Sequence, residues 1–296
     1  MKNIQNKLNM LAFAMIALAT LSITSCKKSS GSGITSIGGY DSSGQVAAAN
    51  LIAYFPFDGN ANDVKGGMTA TVTGTITFPA GTKGEAYQGS AGTFATYTPS
   101  AAFSNLSSYS VSVWYNLPTE GTNPEGIFFV SGATNQDLIV NEIEPYNPVS
   151  GDSVRIHTGF NDLASTGFQL FIPETFDTAA LAKWVHLVVT YDGSTSTYVV
   201  YQNGVASGTN SAFSNGQYIT PNVLWQDAGM TTPLGNLGFT GDEPVSAIIG
   251  SWPDGLFGQT SAGDAFLGQL DELRVYNKAL SISEVAGLYL NGKAGR

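Results

Sequence analysis

The chain has 296 residues, of which 43% are hydrophobic, 11% aromatic and only 11% charged, with a formal net charge of −10. So much apolar sequence excludes intrinsic disorder for the body of the chain, and an acidic balance excludes non-specific nucleic-acid binding, which needs a basic surface to neutralise phosphates. A single cysteine excludes an intrachain disulfide and any cysteine zinc site.

Residues 1–30 open with Lys2 and Lys7, run apolar from Leu11 to Ile23 and reach Ser25-Cys26. A basic start, a short apolar run and small residues before a cut describe a secretory signal, and the run is too short for a membrane span. The stretch Ile23-Thr24-Ser25-Cys26 followed by Lys27-Lys28-Ser29-Ser30 resembles a lipoprotein signal of the Bacteroidetes type. That resemblance implies cleavage before Cys26, acylation of its thiol and anchoring to the outer membrane, facing either the periplasm or the cell surface. Losing the two signal lysines takes the net charge to about −12. Small polar residues then form a flexible tether. The expected division is a signal over 1–25, a tether over 26–48 and one domain over 49–296.

From about Ala49 short apolar runs alternate with turn residues, the pattern of an all-β sandwich or barrel. Strands are expected at 51–57, 69–78, 109–114, 126–131, 153–157, 168–172, 184–191, 197–202, 247–250 and 267–276. Asn203-Gly204 is a strong hairpin signal. One helix is legible: Ser281 and Glu284 form a capping-box pattern, Ile282, Val285, Leu288 and Tyr289 follow at helical spacing, and Asn291-Gly292 supplies a stop. It is expected to close one end of the sandwich.

Four segments in this order carry a resemblance: "LIAYFPFDGNANDVKGG", "YSVSVWYNL", "KWVHLVVTYDGSTSTYVVYQNGV" and "FLGQLDELRVYNKALSISEVAGLY". Together they resemble laminin-G-like and pentraxin-like domains of the concanavalin A-like lectin/glucanase superfamily. The resemblance implies an all-β jelly roll of two curved antiparallel sheets. It does not imply one function, because such domains bind sugars, bind proteins or hydrolyse polysaccharides.

Retaining glycosidases need two carboxylates about 5 Å apart, and glucanases of this superfamily place theirs on one strand as Glu-x-Asp-x-x-Glu. Here Glu142-Ile143-Glu144 has no third acidic partner, because Pro145-Tyr146-Asn147-Pro148 follows. Asp271-Glu272 are adjacent, so plain strand alternation sends them to opposite faces. The expectation is therefore binding without catalysis, with a protein-binding adhesion module and a glycoside hydrolase as alternatives. His157 and His186 are too few for a three-histidine zinc site.

Asp58-Gly59-Asn60-Ala61-Asn62-Asp63 gathers carboxylate and amide oxygens in one turn, a composition that suits calcium but also occurs in turns without metal. The resemblance implies a structural calcium between the end of the first strand and the last long strand, which adds Asp271. The candidate ligands are Asp58, Asn60, Asp63 and Asp271. A sugar needs exposed aromatic faces beside amides or carboxylates. Trp114 and Trp184 lie in apolar strands and are read as core. Trp225, Trp252 and Tyr146, in polar or loop settings, are the candidate stacking platforms.

Overall fold

The computed structural model describes residues 36–119, 121–134, 137–145, 154–160, 168–172, 181–207, 223–225, 231–239, 241–255 and 258–296. The chain divides into two units, Met1–Thr35 and Ser36–Arg296. The first, with Cys26, lies outside the described residues; the second holds every strand and helix named below.

Fourteen described strands form two sheets: β1 (Leu51–Phe55), β2 (Thr71–Thr73), β3 (Tyr87–Gln88), β4 (Phe94–Tyr97), β5 (Tyr109–Asn116), β6 (Glu125–Gly132), β7 (Ile139–Pro145), β8 (Val154–Phe160), β9 (Phe168–Ile172), β10 (Trp184–Asp192), β11 (Thr197–Gln202), β12 (Val205–Ser207), β13 (Pro244–Ile249) and β14 (Gln269–Tyr276). Sheet one runs β1-β14-β5-β10-β11-β12, with β3 also on β14; sheet two runs β2-β4-β13-β6-β7-β8-β9. All the strand pairs are antiparallel. This is the jelly-roll sandwich expected. Alternation explains the core: Val111, Val113, Leu187 and Val189 of sheet one face Val130, Ile139, Ile143 and Ile156 of sheet two.

The other face of sheet one is also buried. Every position of β5 from Tyr109 to Tyr115 is buried, because a C-terminal helix, α1 (Ile282–Lys293), lies along the sheet. Val285 and Leu288 of α1 pack with Val188, Tyr201 and Tyr276 of the strands. The helix therefore covers a face, where the sequence pointed to an end cap. The serines that alternation turns towards it are all engaged: Ser110 Oγ donates to the Lys278 carbonyl at 2.8 Å and accepts from Leu280 N at 3.0 Å, and Ser112 Oγ lies 2.9 Å from His186 Nε2. Such engagement is what makes polar residues tolerable in a buried strand. The capping box forms as expected. Asn291-Gly292 does not stop the helix: Asn291 Nδ2 donates to the carbonyls of Gly287 and Ile37, and Gly292 leaves room for the Trp114 indole, which an added Cβ would meet at 2.6 Å.

The domain also begins earlier than residue 49. Val46 joins the cluster under α1, Tyr40 packs where Gly287 has no side chain, and Ser43 Oγ donates to the Arg296 carbonyl at 2.7 Å. Polar composition hid this segment, because its anchoring comes from a few residues with no periodicity. The strands β3, β4 and β12 lie outside the expected set because two to four residues are too few to carry a pattern, and β7 does because Pro145 ends it. The hairpin at Asn203-Gly204 is as expected, both residues having positive φ (50° and 80°) between β11 and β12.

Candidate functional site

The expected calcium ligands separate into two groups. Asp63 is a turn organiser: Oδ1 accepts from the amides of Tyr54, Lys65 and Gly66, and Oδ2 from Gly66 and Met68. Five such bonds exhaust a carboxylate's acceptor sites, so Asp63 does not fit an ion. Asp58 and Asp271 instead hold opposite ends of the loop 81–85. Asp58 Oδ1 accepts from Glu85 N at 2.8 Å, while Asp271 Oδ2 accepts from Thr82 N, Thr82 Oγ1 and Lys83 N. The other Asp271 oxygen, Oδ1, is buried with no hydrogen-bond partner, and burial pushes this carboxyl up to about 7. Asn60 caps its own turn, accepting from Asn62 N at 2.9 Å. A β-bulge in β14, with Glu272 at φ 53°, overrides the alternation that was to part Asp271 from Glu272. Both carboxylates reach Lys83, one its amide and the other its ammonium.

Of the expected platforms, Trp252 is not exposed: it is 2% accessible and packs on Phe129, Val140 and Ile248. A loop tryptophan beside Pro and Asp looks solvent-facing in sequence, but its large apolar surface is better satisfied on an uncovered patch of sheet. Trp225 is half-buried with a backbone bridge to Pro233. Tyr146 lies outside the described residues.

The outer face of sheet two carries a groove. Register places Thr71, Thr96, Ile248, Phe129 and Val140 in one row across β2, β4, β13, β6 and β7. Two adjoining hollows of about 590 and 320 Å³ share Thr96 and Ser246. The larger is walled by Gly66, Thr69, Thr71, Thr98 and Ser100, and the smaller by Phe94, Ser131, Asp254 and Ser261. Hydroxyl groups dominate the larger, while the smaller sets Thr96, Ser131, Ser246 and Ser261 beside the apolar Phe94, Ile248 and Pro253.

Further along the same face, Glu142 and Glu144 of β7 stand opposite His157 and Arg155 of β8. One ligand atom from each of Glu142, Glu144 and His157 lies within 4.8 Å of the others, the one such grouping among the described residues. His157 Nδ1 contacts Glu142 Oε1 and Glu144 Oε1, and Arg155 pairs with Glu144. Burial raises Glu142 to about 7 against the pull of His157. Burial also opposes ionisation of Glu144, but His157 and Arg155 outweigh it and hold this carboxyl below its usual range. Burial disfavours the His157 cation, yet the two glutamates lift it to about 9. The sequence showed the pair Glu142/Glu144; only strand pairing brought up the histidine and arginine.

A third hollow, of about 370 Å³, opens on the sheet-one side where α1 ends. Trp114 is core as expected, at 4% exposure, but Trp184 is half-buried and lines this hollow with Asn203, Thr82, Tyr289 and Lys293.

Two packed antiparallel sheets with one face grooved and the other capped by a helix define a lectin-like jelly roll. Residues 88–233, just under half of the chain, match the laminin-G-like family model described as the concanavalin A-like lectin/glucanases superfamily. Domain 4 of AbnA, a GH43 extracellular arabinanase from Geobacillus stearothermophilus solved with arabinotriose, is similar at 22% identity and TM-score 0.53, over 81% of this chain and 98% of that one. The binding domain of botulinum neurotoxin serotype G is similar at 15% identity and TM-score 0.54, over 81% and 50%. The serotype D ligand-binding domain in complex with N-acetylneuraminic acid is similar at 13% identity and TM-score 0.53, over 82% and 52%. This chain thus spans about half the length of the toxin domains, and the likeness to all three is one of fold. A comparison with curated protein sequences finds no match. Among the described residues no helix is long and apolar enough to cross a membrane.

Proposed function

We propose that this domain is a non-catalytic carbohydrate-binding module, held at the bacterial cell envelope by a lipid on Cys26 of an outer-membrane-directed signal. The observation that carries this reading is the hydroxyl-lined groove on the outer face of sheet two, continuous through Thr96 and Ser246. Rows of threonine and serine match a polysaccharide's hydroxyls, and an open groove suits a chain better than a small molecule. Glycan-array screening followed by calorimetry is expected to find polysaccharide ligands, and Thr96→Val with Ser246→Ala to weaken them about tenfold, as loss of two modest hydrogen bonds implies. No glycan hit, together with a stable protein complex in pulldown, favours the adhesion-module alternative.

The glycosidase reading draws on the proximity of Glu142 and Glu144 and on their divergent ionisation. Against it, Glu142 is fully buried and both carboxylates are engaged by His157. The same incubations are expected to release no reducing ends; release abolished by Glu142→Gln overturns the binding-only reading.

A structural calcium belongs to this proposal with a reduced ligand set. Asp271 Oδ1 and Asp58 fit it, with Asn60 in the adjoining turn, and the ion would tie the first strand's end to β14 through the loop 81–85. Chelation is expected to lower the melting temperature by several degrees, and Asp271→Asn to remove that sensitivity; identical melting curves with and without chelator reject the ion.

A further inference from the structure

We infer that the hollow at the end of α1 is a second saccharide site, selective for a sugar that carries a carboxylate. It shares no residue with the groove of sheet two, so either can fail without the other.

Its wall has the parts that a pyranose needs. Trp184 stands at the start of β10, half-buried, and none of the described residues stacks on its indole. Trp114 also lines the hollow, but its ring already packs against His186 at 4.9 Å and Tyr289 at 5.8 Å between centroids. A half-buried indole that no described ring stacks on is a platform for the apolar face of a sugar ring. Polar groups surround it. Asn203 Oδ1 accepts from His186 N at 3.1 Å, which orients the amide and leaves Nδ2 without a bond to any described residue. The Thr82 hydroxyl donates to Asp271 at 2.7 Å, so its lone pairs remain for a ligand hydroxyl. A volume near 370 Å³ is at the small end of ligand pockets, enough for one or two sugar units.

Charge sets the selectivity. Acidic residues outnumber basic ones 22 to 12 in this chain, yet the one charged residue lining this hollow is a lysine. Lys293 is exposed on the last turn of α1, with Nζ 3.5 Å from the Tyr289 hydroxyl and 5.6 Å from that ring's centroid. The two residues are four apart on the helix, which places the ammonium beside the aromatic wall. A carboxylate on a stacked ring meets Lys293, while a neutral sugar leaves the ammonium in water.

Calorimetric titration of the intact protein with a galacturonate trisaccharide and with its neutral galactose counterpart tests this. The acidic ligand is expected to bind about tenfold more tightly than the neutral one at low salt, and the difference to shrink as salt rises. Trp184→Ala, checked by its melting curve, is expected to abolish binding of both. Lys293→Gln changes an exposed residue and is expected to keep the fold while erasing the acidic preference. Equal affinity for the two trisaccharides, no binding of the acidic one, or an unaltered preference in Lys293→Gln overturns the site, whatever the fate of Trp184→Ala.

Discussion

Replacing Arg274 by methionine is expected to lower the unfolding free energy by about 3–5 kcal/mol, the usual cost of stripping one partner from a buried ion pair. Arg274 is 2% exposed beneath α1 and the segment 36–50. Its guanidinium pairs with Glu272, donates to Ser43 Oγ at 3.2 Å and lies 4.2 Å from the centroid of the Tyr54 ring. Tyr54 in turn donates its hydroxyl to Glu272. Without the arginine, Glu272 keeps only Tyr54, Ser43 and a long contact to Lys83 at 3.5 Å. The stronger test is the double-mutant cycle. Glu272→Gln keeps an acceptor for Tyr54 while removing the charge, so the double variant should be markedly less damaged than the two single losses added together. Chemical denaturation measures all four proteins. Simple additivity would mean that the cluster is not energetically coupled, and with it falls the claim that one charge network ties the N-terminal segment to β14.

The second large effect is a loss of stability in acid that traces to His186. Burial, aided by the nearby Arg274 charge, pushes this imidazole down to about 3, from an ordinary value near 6.5. It is held neutral between Ser112 Oγ, 2.9 Å from Nε2, and the Trp114 ring. The unfolded chain therefore takes up a proton that the folded one refuses between pH 6.5 and 3. Stability from this group is complete above pH 6.5 and drains away as pH falls through that window, at about 1.4 kcal/mol per pH unit. Other buried groups have the opposite sign. Glu125, Glu142 and Asp271 are raised to about 7, and His157 to about 9, so each favours folding at low pH and withdraws that support as pH rises through those values. The His186 contribution is isolated by comparison with His186→Gln. Between pH 6 and 4 the parent should lose roughly 2–3 kcal/mol more than the variant. Parallel stability curves would show that the imidazole accepts its proton in the folded state.

Two kinds of feature were legible without coordinates. Local patterns that depend on neighbours in sequence came through: the β10–β11 hairpin with its Asn203-Gly204 continuation, the capping box at Ser281 and Glu284, and the alternation of Val111 and Val113. Each is a short-range rule of backbone geometry, so the residues involved carry it themselves. The candidate site depended on partners far away in the chain. His157 reaches Glu142 through strand pairing, Trp184 meets Lys293 through the docking of α1, and Asp271 meets Thr82 across 189 residues. Trp252 and Trp184 exchanged the roles expected of them, because burial is decided by what lies on the far side of a residue.

What the chain's own order of residues determined is the class of fold: short alternating strands, low charge and glycine-rich turns leave two stacked sheets as the arrangement that buries the apolar faces. Which sheet face stays open was decided only by tertiary packing. Helix α1 and the segment 36–50 cover sheet one because Gly287, Gly292 and the Arg274–Glu272 pair let them approach closely. The hydroxyl rows of sheet two are left to solvent, and with them the groove available to a ligand.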